Sequence, residues 1–257
     1  MKVNCAVFED FPFILSARDE KSGVSKVVKI LRVSDGASSL AIRELDYRHE
    51  ADSAKFVHQS IVPMIRSEIN IDWELARRAN CRVGIYKVLA MPWYTSTLHR
   101  QPSNCLKWIA KQGKRILDAL QYLHTYPDGG YVHMDVKAIN VFVDNNGLCY
   151  LDDFGSCKPI DEPITTSSIT LCWEDARSQP AHPKYDYFMF LLMIMIECLE
   201  DRRTYTNIFH EGESRFASIA KIVEATKSRI ELESTPPALA ELLQGVLSKL
   251  IEFGVVQ

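Results

Sequence analysis

A short hairpin pattern flanked by two polar motifs constrains this chain more than any other feature. An Asn-Gly pair lies in a turn at 145–147, between the apolar-rich runs 141–144 and 148–151. This pattern is typical of two antiparallel strands joined by a tight turn. The string HMDVKAIN occupies 133–140, just before the hairpin, and DFG occupies 153–155, just after it. We therefore predict loop, strand, turn, strand and loop, with a carboxylate at each end.

These polar residues are the types that phosphoryl transfer from a nucleotide requires. Such a reaction uses a carboxylate to accept the proton of the acceptor hydroxyl, a lysine to steady the moving phosphoryl group, and oxygen ligands for Mg²⁺. Asp135 and Lys137 supply the first two groups, and Asn140 and Asp153 supply the oxygen ligands. A coincidental turn with a buried Asp is the alternative, but the ordered combination of both motifs favours the functional interpretation.

At these residues the chain resembles the eukaryotic-type protein kinases, which carry H-R-D-L-K-x-x-N followed by DFG. The resemblance covers roughly residues 7–200. It implies an α+β, bilobal protein-kinase-like fold with a small β-rich lobe and a mainly helical large lobe. We expect a single domain over 1–257, with the small lobe at 1–91, the connector (hinge) at 92–98 and the large lobe at 99–257.

The bulk properties fit a globular enzyme of the cell interior. The 257 residues are 47% apolar and 25% charged, and the net charge of −3 gives no reason to expect a nucleic-acid or membrane surface. Seven cysteines without a C-x-x-C pair suit a reducing compartment. Glu9 and Asp10 would interrupt the apolar core of a signal peptide, and the longest apolar run, Tyr187 to Leu199, is too short to span a bilayer. We expect an intracellular protein; its oligomeric state is left open.

The amino-terminal part is predicted to form strand, turn and strand over 13–19, 20–23 and 26–31. The second strand carries Val-Val-Lys at the place of V-A-I-K, so the resemblance assigns Lys29 to the α- and β-phosphates of ATP. The alternative is a surface lysine at a strand end.

The resemblance places a glutamate partner for this lysine on the helix that we predict over 38–59. The candidates Glu44 and Glu50 point to different faces of that helix. Glu50 shares its face with the apolar residues Ala54 and Val57, and we therefore choose Glu50.

The next strand is predicted over 83–91 and leads into the connector. By resemblance, Met91 flanks the rear of an adenine pocket, and the backbone of Pro92, Trp93 and Tyr94 hydrogen-bonds the adenine edge. Core packing is the alternative for Met91 and Trp93.

Three segments depart from the family pattern. Residues 7–12 stand where the family has G-x-G-x-x-G and contain no glycine, so the backbone loses close approach to phosphates, and Pro12 cannot donate an N–H. We expect weakened nucleotide binding. Met134 replaces the arginine that would bind an activation-loop phosphate. Residues 173–176 do not match A-P-E.

The carboxy-terminal half is predicted to be helical over 106–124, 215–229 and 238–253. Asp186 fits the buried aspartate that braces the catalytic-loop backbone in the family. The hydroxyl run at 165–168 offers possible phosphorylation sites, although such runs are usually solvated loops.

The resemblance implies transfer of the γ-phosphate of ATP, with Mg²⁺, to a protein hydroxyl, and Lys137 resembles the serine/threonine subgroup. One alternative is a pseudokinase, the same fold acting as a binding or allosteric module; the glycine-free loop and the absent A-P-E support it, and the intact catalytic groups oppose it. A second alternative is a small-molecule kinase, which Lys137 and the Phe154-Gly155 pair fit less well.

Overall fold

A computed structural model of the chain describes residues 13–18, 23, 25–33, 49–74, 77, 84–100, 105–164, 179–199 and 215–256. Five features of the sequence interpretation lie outside these residues: the glycine-free segment 7–12, the turn residues 20–22, the helix residues 38–48, Glu44 among them, the hydroxyl run 165–168 and the segment 173–176.

Four antiparallel strands form the sheet of the first lobe. They are β1 (Phe13–Arg18), β2 (Ser25–Val33), β3 (Ile65–Ile71) and β4 (Gly84–Pro92), in the spatial order β1-β2-β4-β3. The predicted strands that correspond to β1, β2 and β4 are confirmed. In the central pair, Lys29 stands opposite Leu89. These strands, together with the short helix at 49–55, are called the sheet lobe below.

The strand β3 is absent from the sequence interpretation. It stands at the edge of the sheet among the described strands, and its described side chains are exposed, with Ile65 at 64%. Arg66 forms an ion pair with Asp52, and Glu68 forms one with Lys87 of β4.

The helix that carries Glu50 is shorter at its end than we predict. Its described part runs from 49 to 52 and closes with a 3-10 turn at Ser53–Lys55, so the prediction of helix up to 59 is wrong. The physical reason is a competing partner: Leu151 N donates to Ser60 O at 2.8 Å, and Val62 N donates to Leu151 O at 3.0 Å. The backbone at 60–62 is therefore used in a bridge to the helical lobe.

The helical lobe, meaning the described residues from 96 onward, contains four α-helices. They are α1 (Leu106–His124), α2 (Pro183–Leu192), α3 (Arg215–Glu231) and α4 (Pro237–Glu252). The predictions for α1, α3 and α4 are confirmed to within two residues at each end. The chain of α2 continues directly into a π-helix at Met193–Cys198. None of the described helices combines the length and apolar character needed to cross a bilayer.

One continuous apolar core fills the helical lobe. The inner face of α1 enters it through Ile109, Ile116, Leu117, Leu120 and Leu123, the stripe that the helical period predicts. Helices pack closely at Gly113, where an added Cβ would lie 2.7 Å from Leu242 and 3.3 Å from Ile194. A larger residue there would require the side chains of Leu242 and Ile194 to shift.

Two small sheets shape the surface where the lobes meet. One has the order β5-β7-β8, formed by β5 (Ser96–Thr97), β7 (Val141–Val143) and β8 (Cys149–Leu151). The other pairs β6 (Tyr131–Val132) with β9 (Lys158–Pro159).

The hairpin β7–β8 confirms the Asn-Gly prediction. Its turn is held by the Asp144 carboxylate, which accepts hydrogen bonds from the N–H groups of Asn146 and Leu148, both at 2.8 Å. Gly147 closes the turn with φ at +73°, a left-handed conformation that glycine adopts without steric cost.

Candidate active site

The loop at 133–140 connects β6 to β7 and is anchored by Asp186 of α2. Asp186 is fully buried; its Oδ2 accepts from His133 N and its Oδ1 from Met134 N, both at 2.8 Å. The ring Nε2 of His124, at the end of α1, lies 2.8 Å from the same Oδ2. The expectation that Asp186 braces this loop is confirmed.

Met134 occupies the place that arginine has in the family pattern. Its side chain is fully buried, and its φ is 66°, in the left-handed region that few residues other than glycine adopt. The bond from Met134 N to Asp186 helps to hold this conformation. A buried thioether therefore takes the place of the cationic side chain of the family pattern.

The carboxylate of Asp135 is shared by two donors. Its Oδ2 accepts from Lys137 Nζ at 2.8 Å and from Asn140 Nδ2 at 2.9 Å. The same amide nitrogen also donates to the backbone oxygen of Asp135 at 2.9 Å. Because the nitrogen makes these bonds, the amide oxygen of Asn140 is the atom that could bind a cation.

The DFG motif follows β8, and the residue before it, Asp152, is hydrogen-bonded to the loop at 133–140. Phe154 is fully buried, with its ring 4.9 Å from that of His133 and 5.7 Å from that of Phe56. Asp152 N donates to Asn140 O at 2.9 Å, and His133 Nε2 lies 2.9 Å from Asp152 O. These contacts fix the position of Asp153, whose own φ of 61° is left-handed.

In the sheet lobe, Lys29 and Glu50 form an ion pair, with Nζ 2.5 Å from Oε1. The side chains are 17% and 4% exposed. Burial opposes the charge of Lys29, but the carboxylates of Glu50, Asp153 and Asp152 outweigh it and raise the lysine pKa. The lysine therefore remains cationic at neutral pH. Val57, which the sequence argument places on the face of Glu50, lies beyond the helix and is 82% exposed, so that part of the argument is wrong.

Asp152 is a buried carboxylate that the sequence interpretation missed. Within the part of the chain that the structure describes, its Oδ1 has no hydrogen-bond partner. Burial, followed by the neighbouring charges of Glu50 and Asp153, raises the pKa of Asp152 to about 7. The signal that could have found it is a second acid directly before the DFG motif.

The residues predicted at the adenine edge lie at the end of β4. Met91 is buried, as in the packing alternative, whereas Trp93 is 54% exposed and its backbone N donates to Ser25 O at 3.4 Å. The ring of Tyr94 stacks on Phe142 of the hairpin at 5.3 Å. The structure thus brings together Asp135, Lys137 and Asn140 in one cluster and Lys29 with Glu50 in another. The adenine-binding roles at the end of β4 remain predictions.

The oxygen atoms of Asn140 and Asp153 suit Mg²⁺. Among the described residues, no group of three or more His, Cys, Asp or Glu side chains could hold a metal ion by itself. Mg²⁺ commonly binds through one or two carboxylates together with substrate phosphates, and it does not need an all-protein cage. The residues present therefore fit a cation that arrives with a nucleotide.

Comparison with known proteins identifies the family. The sequence profile described as "Protein kinase domain" matches residues 14–252. The chain belongs to the protein kinase domain family. The α+β architecture and the two lobes agree with this kinase domain, and the match covers both of them.

Individual relatives are distant or match over short stretches. The kinase domain is 26% identical over 240 residues to a protein named probable serine/threonine-protein kinase CE0033 of Corynebacterium efficiens, covering 88% of the chain and 32% of that protein. The kinase domain is 24% identical over 240 residues to probable serine/threonine-protein kinase PknB of Corynebacterium glutamicum, covering 88% of the chain and 33% of that protein. Mitogen-activated protein kinase kinase kinase 1 of Arabidopsis thaliana is 49% identical over 45 residues, a match that covers 18% of the chain and 7% of that protein. The chain spans a third or less of the length of these relatives.

Proposed function

We propose that this kinase domain transfers the γ-phosphate of ATP, with Mg²⁺, to a serine or threonine hydroxyl of a protein. The observation that carries the proposal is the shared Asp135 carboxylate, which accepts hydrogen bonds from both Lys137 and Asn140 inside a loop anchored on α2. Phosphoryl transfer relies mainly on positioning and charge stabilisation, and this cluster supplies both.

Each residue has a role that follows from its chemistry. Asp135 orients the acceptor hydroxyl and accepts its proton through a carboxylate oxygen. Lys137, whose side chain is 39% exposed, can turn from Asp135 toward the phosphoryl group and balance its charge. Both groups lie on one short loop, so a hydroxyl held at Asp135 also lies within reach of the lysine cation.

Nucleotide binding would use both lobes. Mg²⁺, when bound, neutralises phosphate charge and aligns the γ-phosphate. Asn140 and Asp153 would hold this ion. Lys29, kept in place by Glu50, would contact the α- and β-phosphates. Met91 and the backbone of Pro92, Trp93 and Tyr94 would receive the adenine.

Specificity for serine and threonine rests on two supports. Lys137 follows Asp135 by two residues, as in the serine/threonine subgroup that the sequence resembles. Two relatives that each match 88% of the chain bear serine/threonine-kinase names. A protein acceptor, rather than a small alcohol, follows from the family match over 14–252.

The test of catalysis is Asp135→Asn. We expect the rate of phosphoryl transfer from radiolabelled ATP to a panel of Ser-, Thr- and Tyr-containing peptides to fall by about 100-fold or more, with little change in ATP affinity. Asp118→Asn, on the partly exposed surface of α1, is the matched control and should leave the rate unchanged. Equal rates for Asp135→Asn and the parent protein would contradict the role of Asp135.

The test of metal binding is Asp153→Asn. We expect the affinity for ATP to lose its dependence on Mg²⁺ while the melting temperature without ligand stays close to that of the parent protein. Isothermal titration with and without Mg²⁺ measures this difference. An Mg-ATP affinity that is unchanged in the folded variant would refute the assignment of Asp153.

Two observations favour a pseudokinase as the second candidate. Residues 7–12 contain no glycine, and the buried carboxylate of Asp152, when ionised, adds negative charge near Lys29, where phosphates would bind. In this case Mg-ATP would fail to raise the melting temperature, or would raise it without any phosphoryl transfer. A rise in melting temperature together with transfer favours the enzyme.

A further inference from the structure

A single acidic residue lies within the apolar run that follows Asp186. This residue is Glu197, in the π-helix that continues α2, and its side chain is 29% exposed. Its neighbours Ile196 and Cys198 are buried. A π-helix turns a side chain away from the direction that a continuous α-helix would give it, and such segments are frequent at functional sites.

Both oxygens of the Glu197 carboxylate have partners outside the helix. Oε1 accepts a hydrogen bond from the backbone N–H of Ala138 at 3.1 Å. Oε2 lies 3.5 Å from Nδ1 of His99, which belongs to the 3-10 turn at Leu98–Arg100 directly after β5. Glu197 therefore connects the loop at 133–140, called the catalytic loop below, with the 3-10 turn at Leu98–Arg100.

The bond to Ala138 satisfies a backbone group that the loop leaves without an internal partner. Ala138 begins the 3-10 turn at Ala138–Asn140, and the first N–H groups of a helical turn have no acceptor within it. The preceding residue, Lys137, makes no side-chain cap and could not accept a bond through its ammonium group. Glu197 thus caps this turn from a distant part of the chain.

Two carboxylates of one continuous helix consequently hold the two ends of the catalytic loop. Asp186 holds the N–H groups of His133 and Met134 at the beginning of the loop, and Glu197 holds that of Ala138 near its end. Asn140, at the end of the capped turn, donates to Asp135.

We propose that Glu197 is a positioning residue for phosphoryl transfer, fixing Lys137 and Asn140 relative to Asp135 through the Ala138 N–H. The proposal rests on the proposed function for its effect on rate. It does not require Glu197 to touch the substrate or the nucleotide.

The test compares Glu197→Ala with Glu197→Gln, because the glutamine keeps an acceptor oxygen. We expect kcat of the alanine variant to fall by about 10-fold or more, as loss of one hydrogen bond to a charged group implies. KM for ATP should change by less than about 3-fold, and the glutamine variant should recover kcat to within about 3-fold of the parent protein. Unchanged kcat in Glu197→Ala, or no recovery in Glu197→Gln, would overturn the proposal.

Two matched variants separate positioning from a general loss of stability. Val246→Ala removes two methyl groups from the buried face of α4 and should lower the melting temperature without lowering kcat. His99→Ala removes the second contact of Glu197 and should leave kcat within about 2-fold, since the Ala138 bond remains. A 10-fold loss in either variant would refute the role of the Ala138 bond.

Amide hydrogen exchange provides a readout that does not depend on activity. In Glu197→Ala, exchange at the Ala138 N–H should accelerate by about 10-fold, with no change at His133 and Met134, and Glu197→Gln should restore protection. Equal acceleration at all three amides would indicate general loosening and would overturn a specific role. Should the parent protein transfer no phosphate, the proposed function fails, while this exchange pattern still decides whether Glu197 positions the loop.

Discussion

In the helical lobe, a single buried cluster extends from α1 through α2 and the π-helix to α4, and the catalytic loop is fastened to it by Asp186. In the sheet lobe, the described core consists of two small clusters, one around Val28 and Val88 and the other around Ala51 and Leu89. Local stability follows the density of buried apolar contacts. The positions of Asp135 and Asn140 are therefore set by the large core of the helical lobe, whereas the position of the Lys29 side chain depends on its ion pair with Glu50.

A Leu→Ala substitution in the core of each lobe is expected to show the largest difference in stability between the two lobes. Leu120 of α1 and Leu89 of β4 are both fully buried. We expect Leu120→Ala to lower the free energy of unfolding by about 4 kcal/mol and Leu89→Ala by about 2 kcal/mol, because the thinner packing around Leu89 can collapse into the cavity more easily. Urea denaturation of both variants measures the difference. Equal losses would show that the two lobes do not differ in this way.

The buried charge at Asp152 gives a second, pH-dependent test at the junction of the lobes. Its pKa of about 7 in the folded protein exceeds the ordinary value of 3.8. The folded state therefore binds more protons between these values, and the contribution of Asp152 to stability falls as pH rises from about 4 to 7. Asp152→Asn removes this loss, so at pH 7 and above the variant should be more stable by about 2 to 4 kcal/mol.

The measurement is the difference in unfolding free energy between Asp152→Asn and the parent protein at several pH values. The difference should be smallest near pH 4, should grow up to pH 7, and should then stay level. Asp118→Asn serves as a control with a partly exposed carboxylate. A difference that is constant with pH would contradict the raised pKa.

The ion pair of the sheet lobe gives the smallest expected effect on stability. Replacing both members, as Lys29→Met with Glu50→Leu, should change the free energy of unfolding by less than about 1 kcal/mol, since apolar groups can substitute for a buried pair. Phosphoryl transfer should nevertheless be lost. Each single replacement should destabilise the protein more than the double one, because it removes one member of the ion pair and leaves the other charge in a buried site. Calorimetric melting of the three variants decides the matter, and a large loss in the double variant would mean that the pair maintains the fold.

The parts of the fold that the sequence predicts correctly depend on local patterns. The stripe of α1 follows the helical period, and the Asn-Gly turn fixes the hairpin β7–β8 within a few residues. The family motifs are local as well, so the amino-acid sequence is sufficient to group Asp135, Lys137 and Asn140. The structure also shows the contact of Glu50 with Lys29, although Val57, one of the two residues on which the choice of Glu50 depended, lies beyond the helix.

The parts that the sequence could not predict depend on distant partners. The helix after Glu50 ends at Lys55 because the backbone near 61 bonds to Leu151, which no local pattern reveals. The raised pKa of Asp152 requires knowledge that this side chain is buried and that Glu50 comes close to it. In the sequence, Glu197 is only one acid in an apolar run, and its partner Ala138 lies in another part of the chain.

The strand β3 has three successive polar residues, Arg66, Ser67 and Glu68, and the sequence interpretation misses it because this run interrupts the alternation expected of a strand. These charges have a consequence for the behaviour of the protein in concentrated solution. A long, exposed edge strand can pair with the edge of another molecule, and charged side chains on it oppose such pairing. On β3, the charged residues Arg66 and Glu68 follow the exposed Ile65 on this edge. Replacing both charges with apolar side chains should therefore make this edge more prone to pair with another molecule, since the described side chains of β3 are exposed.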